Sequence, residues 1–180
     1  MDISADPDKV LSAAKLILPG VGHFDQGMQN LRKRGLVEAL NEAVLVRRTP
    51  ILGICLGVQL FTQSSEEGRL PGLGWVAAAT VQFRFDGSQG ALKVPHMGWN
   101  SIQPARSDRL FAHLPADPRF YFVHSYHLVC DEERDVLAWT THGYRFASAI
   151  QHGSIWGTQF HPEKSHKFGL AVMRDFLDLS

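Results

Sequence analysis

Nine residues, Gly53-Ile54-Cys55-Leu56-Gly57-Val58-Gln59-Leu60-Phe61, constrain this chain more than any other stretch. A cysteine stands two positions from a glycine on either side. The apolar run Pro50-Ile51-Leu52 leads in, and Val58, Leu60 and Phe61 lead out. This is the pattern of a buried strand, a sharp turn and a helix, with a nucleophile at the tip of the turn. The glycines let the backbone turn without a Cβ clash. A thiol at the start of the helix is expected to feel its dipole, which favours the thiolate. The competing reading is a buried structural cysteine in a strand-loop-helix unit, because free cysteine often behaves as a small core residue.

The flanking sequence places this elbow in an α/β fold. Asp6-Pro7-Asp8 predicts a short capped helix over 5–14. Residues 14–18 read as a buried strand running into Pro19-Gly20-Val21-Gly22, a backbone loop. Met28, Leu31, Leu36, Leu40 and Val44 recur at near-helical spacing over 25–46, with Gly35 as a break or bend. Residues 49–54 form the next strand, and the elbow helix is expected to reach about Ser64. The alternation of strand and helix over 14–64 predicts a parallel sheet with covering helices.

The second half changes character. Strands are expected at 75–83, 98–102, 120–128, 136–141, 147–151 and 154–159, with polar or glycine-rich breaks at 86–90, 104–109, 131–135 and 142–146. These predict a mixed or antiparallel section. A last helix spans 167–177, with Val172, Met173, Phe176 and Leu177 on one face. The chain has 180 residues and shows no repeat or linker, so one domain over 1–180 is expected.

Charge and composition exclude some functions. Eighteen basic residues offset eighteen acidic ones without long runs of either sign, which argues against nucleic acid or an anionic membrane surface as a partner. Cys55 and Cys130 are the two cysteines, too few for a disulfide framework. The start of the chain has no apolar signal region, and no apolar run approaches the ~20 residues of a membrane span. A cytoplasmic location is expected. The nine histidines are scattered and lack zinc-type spacing, so no metal or other cofactor is expected.

A cysteine nucleophile needs a base, and the base needs an orienting partner. His161-Pro162-Glu163 can supply both. His161 would take the thiol proton, and Glu163 would hold the imidazole as the aspartate does in a serine triad. Acyl transfer also needs oxyanion donors. The Leu56 N–H and a peptide of the 19–22 loop are the candidates. Two clusters stand out further along: Pro95-His96-Met97-Gly98-Trp99-Asn100, and Phe120-Tyr121-Phe122-Val123-His124-Ser125-Tyr126. By composition alone, the first reads equally as a loop around a buried Trp and the second as a core strand.

Taken together, 53–59, 95–100, 121–126 and Gln159-Phe160-His161-Pro162-Glu163-Lys164-Ser165 resemble the glutaminase subunits of imidazole glycerol phosphate synthase. These are class I (triad) glutamine amidotransferases of histidine biosynthesis. The elbow and the His-Pro-Glu segment are shared across the class, whereas the segments at 19–24, 95–100 and 122–126 are more specific. The resemblance runs from about Leu16 to the C-terminus. It implies a flavodoxin-like sheet with covering helices and an added antiparallel section.

The resemblance implies Cys55 as nucleophile, His161 as base and Glu163 as its partner. Glutamine would be cleaved to glutamate and ammonia through a glutamyl thioester. Gln59 and Glu67 match positions that hold the glutamine head group, with backbone at Gly20, Val21, Gly22, Gly53, Leu56 and the His124-Ser125-Tyr126 segment. The oxyanion loop at 20–22 is mobile in the family, and a peptide flip there is associated with activation. The implied partner is a cyclase subunit with a (β/α)8 barrel, in a heterodimer that channels ammonia to form imidazole glycerol phosphate and an aminoimidazole carboxamide ribotide. The partner-facing surface is expected to include the 19–22 loop, His96, Trp99, Tyr121 and the segment to Tyr126, and Lys164.

The sequence departs from the family in one respect. Members begin with a strand and helix ahead of anything present here, so the first strand and helix are expected to be missing. In a flavodoxin-like strand order that strand is central, and instability is the expectation for the chain as it stands. Two other functional readings compete. One is a paralogous amidotransferase serving an amidine synthase of surface sugars, and the other is an inactive, truncated binding subunit. A stand-alone cysteine peptidase leaves residues 95–100 unexplained.

Overall fold

The structure is a computed structural model that describes residues 2–87 and 92–179. The elements run α1 (Pro7–Ser12), β1 (Leu16–Gly20), α2 (Phe24–Lys33), α3 (Leu36–Asn41), β2 (Ile51–Cys55), α4 (Leu56–Gln59), β3 (Ser64–Ser65) and β4 (Ala78–Gln82). Then follow β5 (His96–Ser101), β6 (Gln103–Pro104), β7 (Arg119–His124), β8 (Tyr126–Cys130), β9 (Val136–His142), β10 (Tyr144–His152), β11 (Ile155–Thr158) and α5 (His166–Leu177).

The main sheet runs β1-β2-β11-β10-β8-β4-β3, with β9 beside β10 and β6 beside β9. Its first three strands are parallel, and β11 then turns back antiparallel onto β10. The architecture is thus a flavodoxin-like parallel part carrying an antiparallel extension. A separate two-stranded sheet pairs β5 with β7. β2 is buried along its whole length, as expected for a parallel strand covered on both faces. Ile51 packs into the apolar cluster under α2 and α3, with Phe24, Met28, Leu40 and Phe61. Leu52 and Ile54 point the other way, into the cluster under α5 with Phe120, Phe160, Val172 and Phe176. Two cores of opposite sidedness therefore clamp the strand that ends in Cys55.

Several boundaries differ from the sequence reading. The 25–46 helix divides at Gly35, which sits at φ +66°, into α2 and α3, and ends in a π-helical turn over Glu42–Val46. The strand expected at 75–83 begins at Ala78, because the Trp75 and Val76 N–H groups bend back to the Phe61 carbonyl. The strand expected at 120–128 is two strands in two sheets, β7 and β8, which meet at Ser125. On α5 the buried stripe is Gly169, Val172, Asp175 and Phe176, and Leu177 is 51% exposed. Leu177 lies about 100° around the helix from Phe176, which turns it out to solvent. The break expected at 86–90 lies partly outside the described residues. Among the described residues no helix is long and apolar enough to cross a membrane.

Candidate active site

Cys55 is the last residue of β2 and adopts φ +55°, ψ −111°, a conformation that non-glycine residues rarely occupy. The strain places its side chain at the tip of the strand-to-helix turn. The neighbouring glycines are there for close approach. A Cβ on Gly57 would stand 1.8 Å from the Leu18 carbonyl oxygen, and one on Gly53 would stand 2.5 Å from the Phe61 ring. Only glycine lets α4 settle this deeply on β1 and β2.

Two expectations about the elbow need correction. α4 is a single turn, Leu56–Gln59, and not a helix reaching Ser64. The Leu60, Phe61 and Thr62 N–H groups still bond within that turn, but the chain then leaves to join β3. One turn carries little macrodipole. The Cys55 thiol is pushed up to about 11, not down. Burial is the main cause, and the nearby Glu163 carboxylate adds to it, while the Leu56 N–H, Lys164 and Gln159 oppose it. The resting form is therefore a protonated thiol.

His161 follows β11 and leads into a short 3-10 turn at Pro162–Lys164. Its backbone is held by a hydrogen bond to the Tyr121 carbonyl. Ser165 completes the clamp, its buried hydroxyl donating to the His161 carbonyl and accepting from the Tyr121 N–H. His161 Nδ1 lies 2.6 Å from Glu163 Oε1. A carboxylate only accepts, so Nδ1 carries the hydrogen, and in the neutral ring Nε2 presents a lone pair. That Nε2 is buried and has no hydrogen-bond partner among the described residues. An orphaned buried acceptor calls for an explanation, and a base waiting for a proton is one.

His161 and Cys55 line the same cleft, of about 320 Å³, with Val21, Gly22, Leu56, Gln59, Glu67, Pro95, Val123, His124, Ser125 and Tyr126. The volume is at the small end of the range for small-molecule sites. Gly20 and Gly53 stand behind the wall, Gly20 as the last residue of β1, paired with Cys55. Because β1 runs through Pro19 and Gly20, the open loop is shorter than the sequence implied and begins at Val21, which is 78% exposed. Gly22 sits at φ +100°. Glu67 Oε2 accepts the Phe24 N–H at 2.8 Å, at the start of α2. The Asp25 carboxylate reaches the opposite way and accepts the Arg69 and Leu70 N–H groups. These bonds tie the loop bearing Glu67 to the loop bearing Gly22.

Of the residues expected to face a partner, His96, Trp99, Tyr121 and Lys164 do not all lie together. Trp99 is 40% exposed and stacks on His166, with Tyr121 edge-on beside it and Lys164 Nζ 5.7 Å over the Tyr121 ring. His96 is only 5% exposed and sits on the opposite face of β5. Strand alternation explains it: Trp99 is three positions on from His96, an odd step, so they point to opposite sides. The outer face instead carries Met97, which is 62% exposed and pairs with Val123.

Sequence reasoning gave no role to Gln159, Ser165 or Asp25. Gln159 is fully buried, accepts from Gln59 Nε2 at 3.0 Å and places its own Nε2 3.8 Å from Cys55 Sγ. Gln159 and Ser165 lie in the segment that carries His161, which is the signal that could have found them. A larger, shallower depression of about 930 Å³ is lined by residues including Arg106, Asp108, Phe111, Leu114 and Pro118. Ser107 also lines it, beside Asp108, but no cysteine or histidine does, whereas the smaller cleft brings Cys55 and His161 together and is the candidate site. Among the described residues no His, Cys, Asp or Glu cluster could hold a metal ion.

The family model of glutamine amidotransferase class-I matches residues 4–179. The chain is 49% identical over 175 residues to the imidazole glycerol phosphate synthase subunit HisH 2 of Methanococcus maripaludis, covering 97% of this chain and 85% of that one. It is 44% identical over 168 residues to the imidazole glycerol phosphate synthase subunit HisH of Leptospira interrogans, covering 93% and 82%. A solved glutamine amidotransferase superposes with a TM-score of 0.67 at 18% identity, over 97% of this chain and 83% of that one. That last likeness is one of fold.

Proposed function

The chain belongs to the class I glutamine amidotransferase family, and from that premise we propose that it is the glutaminase subunit of an imidazole glycerol phosphate synthase. It hydrolyses glutamine to glutamate and ammonia, and a cyclase subunit of (β/α)8-barrel fold consumes the ammonia in cytoplasmic histidine biosynthesis. Residues 1–180 act as one amidotransferase domain. The observation that carries this reading is His161, tied through Nδ1 to Glu163 and left with a bare Nε2 in the cleft that holds Cys55.

The chemistry follows from that geometry. Glutamine enters with its side-chain amide at Cys55. His161 Nε2 takes the thiol proton as Sγ attacks the amide carbon, and the imidazolium is stabilised by Glu163. Since burial pushes the thiol up to about 11, the thiolate is not the resting form, and His161 must take its proton for Sγ to attack. The oxyanion is met by the Leu56 N–H, which already points at Sγ, and by a peptide of the 20–22 loop. His161 returns its proton to the leaving nitrogen, and ammonia departs. Water, activated by the same imidazole, then attacks the thioester and releases glutamate. At the other end of the cleft, Glu67 and Gln59 receive the glutamine head group. A carboxylate there offsets the buried α-ammonium.

The outer face of β5 and β7, with Trp99, Tyr121, Met97 and Lys164, borders the cleft and is the docking surface for the cyclase. An aromatic, closed contact there keeps ammonia from bulk water. The test is glutamine hydrolysis by the chain with its cyclase and the cyclase ligand. Cys55→Ala should abolish it, and equal activity in parent and variant would overturn the reading.

A further inference from the structure

His96 and His124 are register partners across β5 and β7, and His96 Nδ1 lies 3.0 Å from His124 Nε2. Only one proton arrangement of the neutral rings satisfies the atoms around them. The Tyr126 carbonyl can only accept, so its 2.7 Å contact puts a hydrogen on His124 Nδ1. His124 Nε2 is then a bare acceptor, and His96 Nδ1 donates to it. His96 Nε2 is in turn bare, and Asn100 Nδ2 donates to it at 3.1 Å. The other Asn100 amide hydrogen goes to the Thr141 carbonyl at 2.9 Å, and Asn100 Oδ1 accepts the Ser101 N–H. Burial lowers both imidazoles, His96 to about 4, so the neutral arrangement stands at ordinary pH.

This relay ends where the cleft begins. The Tyr126 carbonyl also accepts from Gln59 Nε2 at 3.3 Å, and the same amide nitrogen donates to Gln159 Oε1. Both Gln59 hydrogens are thereby used, which leaves its Oε1 to offer to a donor such as an ammonium. His124, Tyr126 and Gln59 line the cleft, whereas His96 does not.

We propose that His96 is a positioning residue for the glutamine site: it fixes the tautomer of His124 and, through the Tyr126 carbonyl, the presentation of the Gln59 amide. The proposal rests on the glutaminase reading above. A role in packing alone would remove folded enzyme and lower kcat at constant KM. A positioning role raises KM for glutamine at nearly constant kcat.

The test compares His96→Leu with His96→Asn in the full chain, assembled with the cyclase and its ligand. Leucine leaves His124 Nε2 an unpaired buried acceptor, and KM for glutamine is expected to rise about tenfold with kcat within about twofold. Asparagine places its Nδ2 where the imidazole Nδ1 stood, and KM should return to within about threefold of the parent. An unchanged KM in the leucine variant, a fall in kcat alone, or equal KM values in the two variants would overturn the proposal. If neither variant folds, 15N spectra of the parent decide: a hydrogen on Nδ1 of both rings supports it, and one on His124 Nε2 overturns it. Glutamine binding to Cys55→Ala and turnover by the parent keep the two readings apart. A parent that does neither defeats the glutaminase reading and this proposal together. A parent that does both, with unsplit variants, defeats this proposal alone.

Discussion

Glu163 Oε1 lies 2.6 Å from His161 Nδ1, two residues away across a proline, and this single contact decides which imidazole nitrogen faces the cleft. The Glu163 side chain is half exposed, so solvent screens part of its charge. Glu163→Gln retains an acceptor and loses the charge that stabilises the imidazolium. Its kcat for glutamine hydrolysis is expected to fall about 10- to 100-fold, less than for a buried triad carboxylate, with KM within about threefold. Glutamate release by the assembled enzyme measures it, and an unchanged kcat would remove Glu163 from the mechanism.

The raised Cys55 thiol predicts a pH dependence of its own. With the thiol near 11, alkylation by iodoacetamide in the absence of glutamine should accelerate about tenfold per unit from pH 7 to pH 10 without a plateau. Cys130 is raised further, to about 12, so it reacts more slowly, and peptide mass spectrometry separates the two sites. A folded value above the unfolded one, about 8.5, also means that the native state holds the proton more tightly. This stabilisation is fully present below pH 8.5 and is lost as the pH rises toward 11. A plateau in Cys55 alkylation below pH 9 would contradict the structure.

Asp25 lies outside the cleft and ties down the loop that carries Glu67. Its carboxylate receives the Arg69 and Leu70 N–H groups, which keep it below the usual carboxylate range, and so fixes the loop that presents Glu67. Asp25→Ala is expected to raise KM for glutamine about fivefold with kcat within about twofold. Since its folded pKa is lowered, the contribution is present above the ordinary Asp value, about 3.9, and disappears on acidification through the folded one. Steady-state kinetics at pH 7.5 test the substitution, and a KM equal to that of the parent rules out the clamp.

The first half of the chain was legible because its signals are local. A buried run, a Gly-flanked cysteine and helical spacing after 24 each act over a few residues, and β1, β2 and the start of α2 lie close to where those signals place them, although β1 runs on through Gly20 and the helical run divides at Gly35. Ser125 marks where local signals fail. The alternation of 120–128 continues through it, but β7 pairs with β5 while β8 pairs with β4 and β10, and only tertiary pairing makes that division. The side of His96 failed for a related reason. Alternation separates it from Trp99, yet the inward face was chosen by its register with His124. Asp25 acts on backbone groups distant in sequence, and such contacts leave no mark in residue type or spacing.

Gly57→Ala tests the packing of the elbow without touching its chemistry. The added Cβ would lie 1.8 Å from the Leu18 carbonyl, a backbone atom of β1 that cannot rotate away. Either α4 lifts or β1 shifts, and the expected loss is about 3–5 kcal/mol, or roughly 10 °C in melting temperature. Gly22→Ala is the contrast. Among the described residues nothing lies within 4 Å of its Cβ position, and the loss is confined to the strain of φ +100°, about 1–3 kcal/mol. Thermal melts should rank Gly57→Ala well below Gly22→Ala, and the reverse order would mean that the elbow relaxes freely.

Met97→Glu separates docking from folding. Met97 projects from the outer face of β5 and is 62% exposed, so the substitution buries no charge in the free subunit. On the opposite face, His96 and Asn100 keep their partners. If the face carrying Trp99, Tyr121 and Met97 receives the cyclase, a carboxylate at its centre must be desolvated on assembly. Affinity for the cyclase is expected to fall at least about tenfold, with the melting temperature of the isolated chain within about 2 °C of the parent. Titration calorimetry with the cyclase reads the first quantity and thermal melts the second. Undiminished affinity would place the docking surface elsewhere while leaving the Cys55 and His161 assignments standing, because those depend on the cleft and not on what covers it.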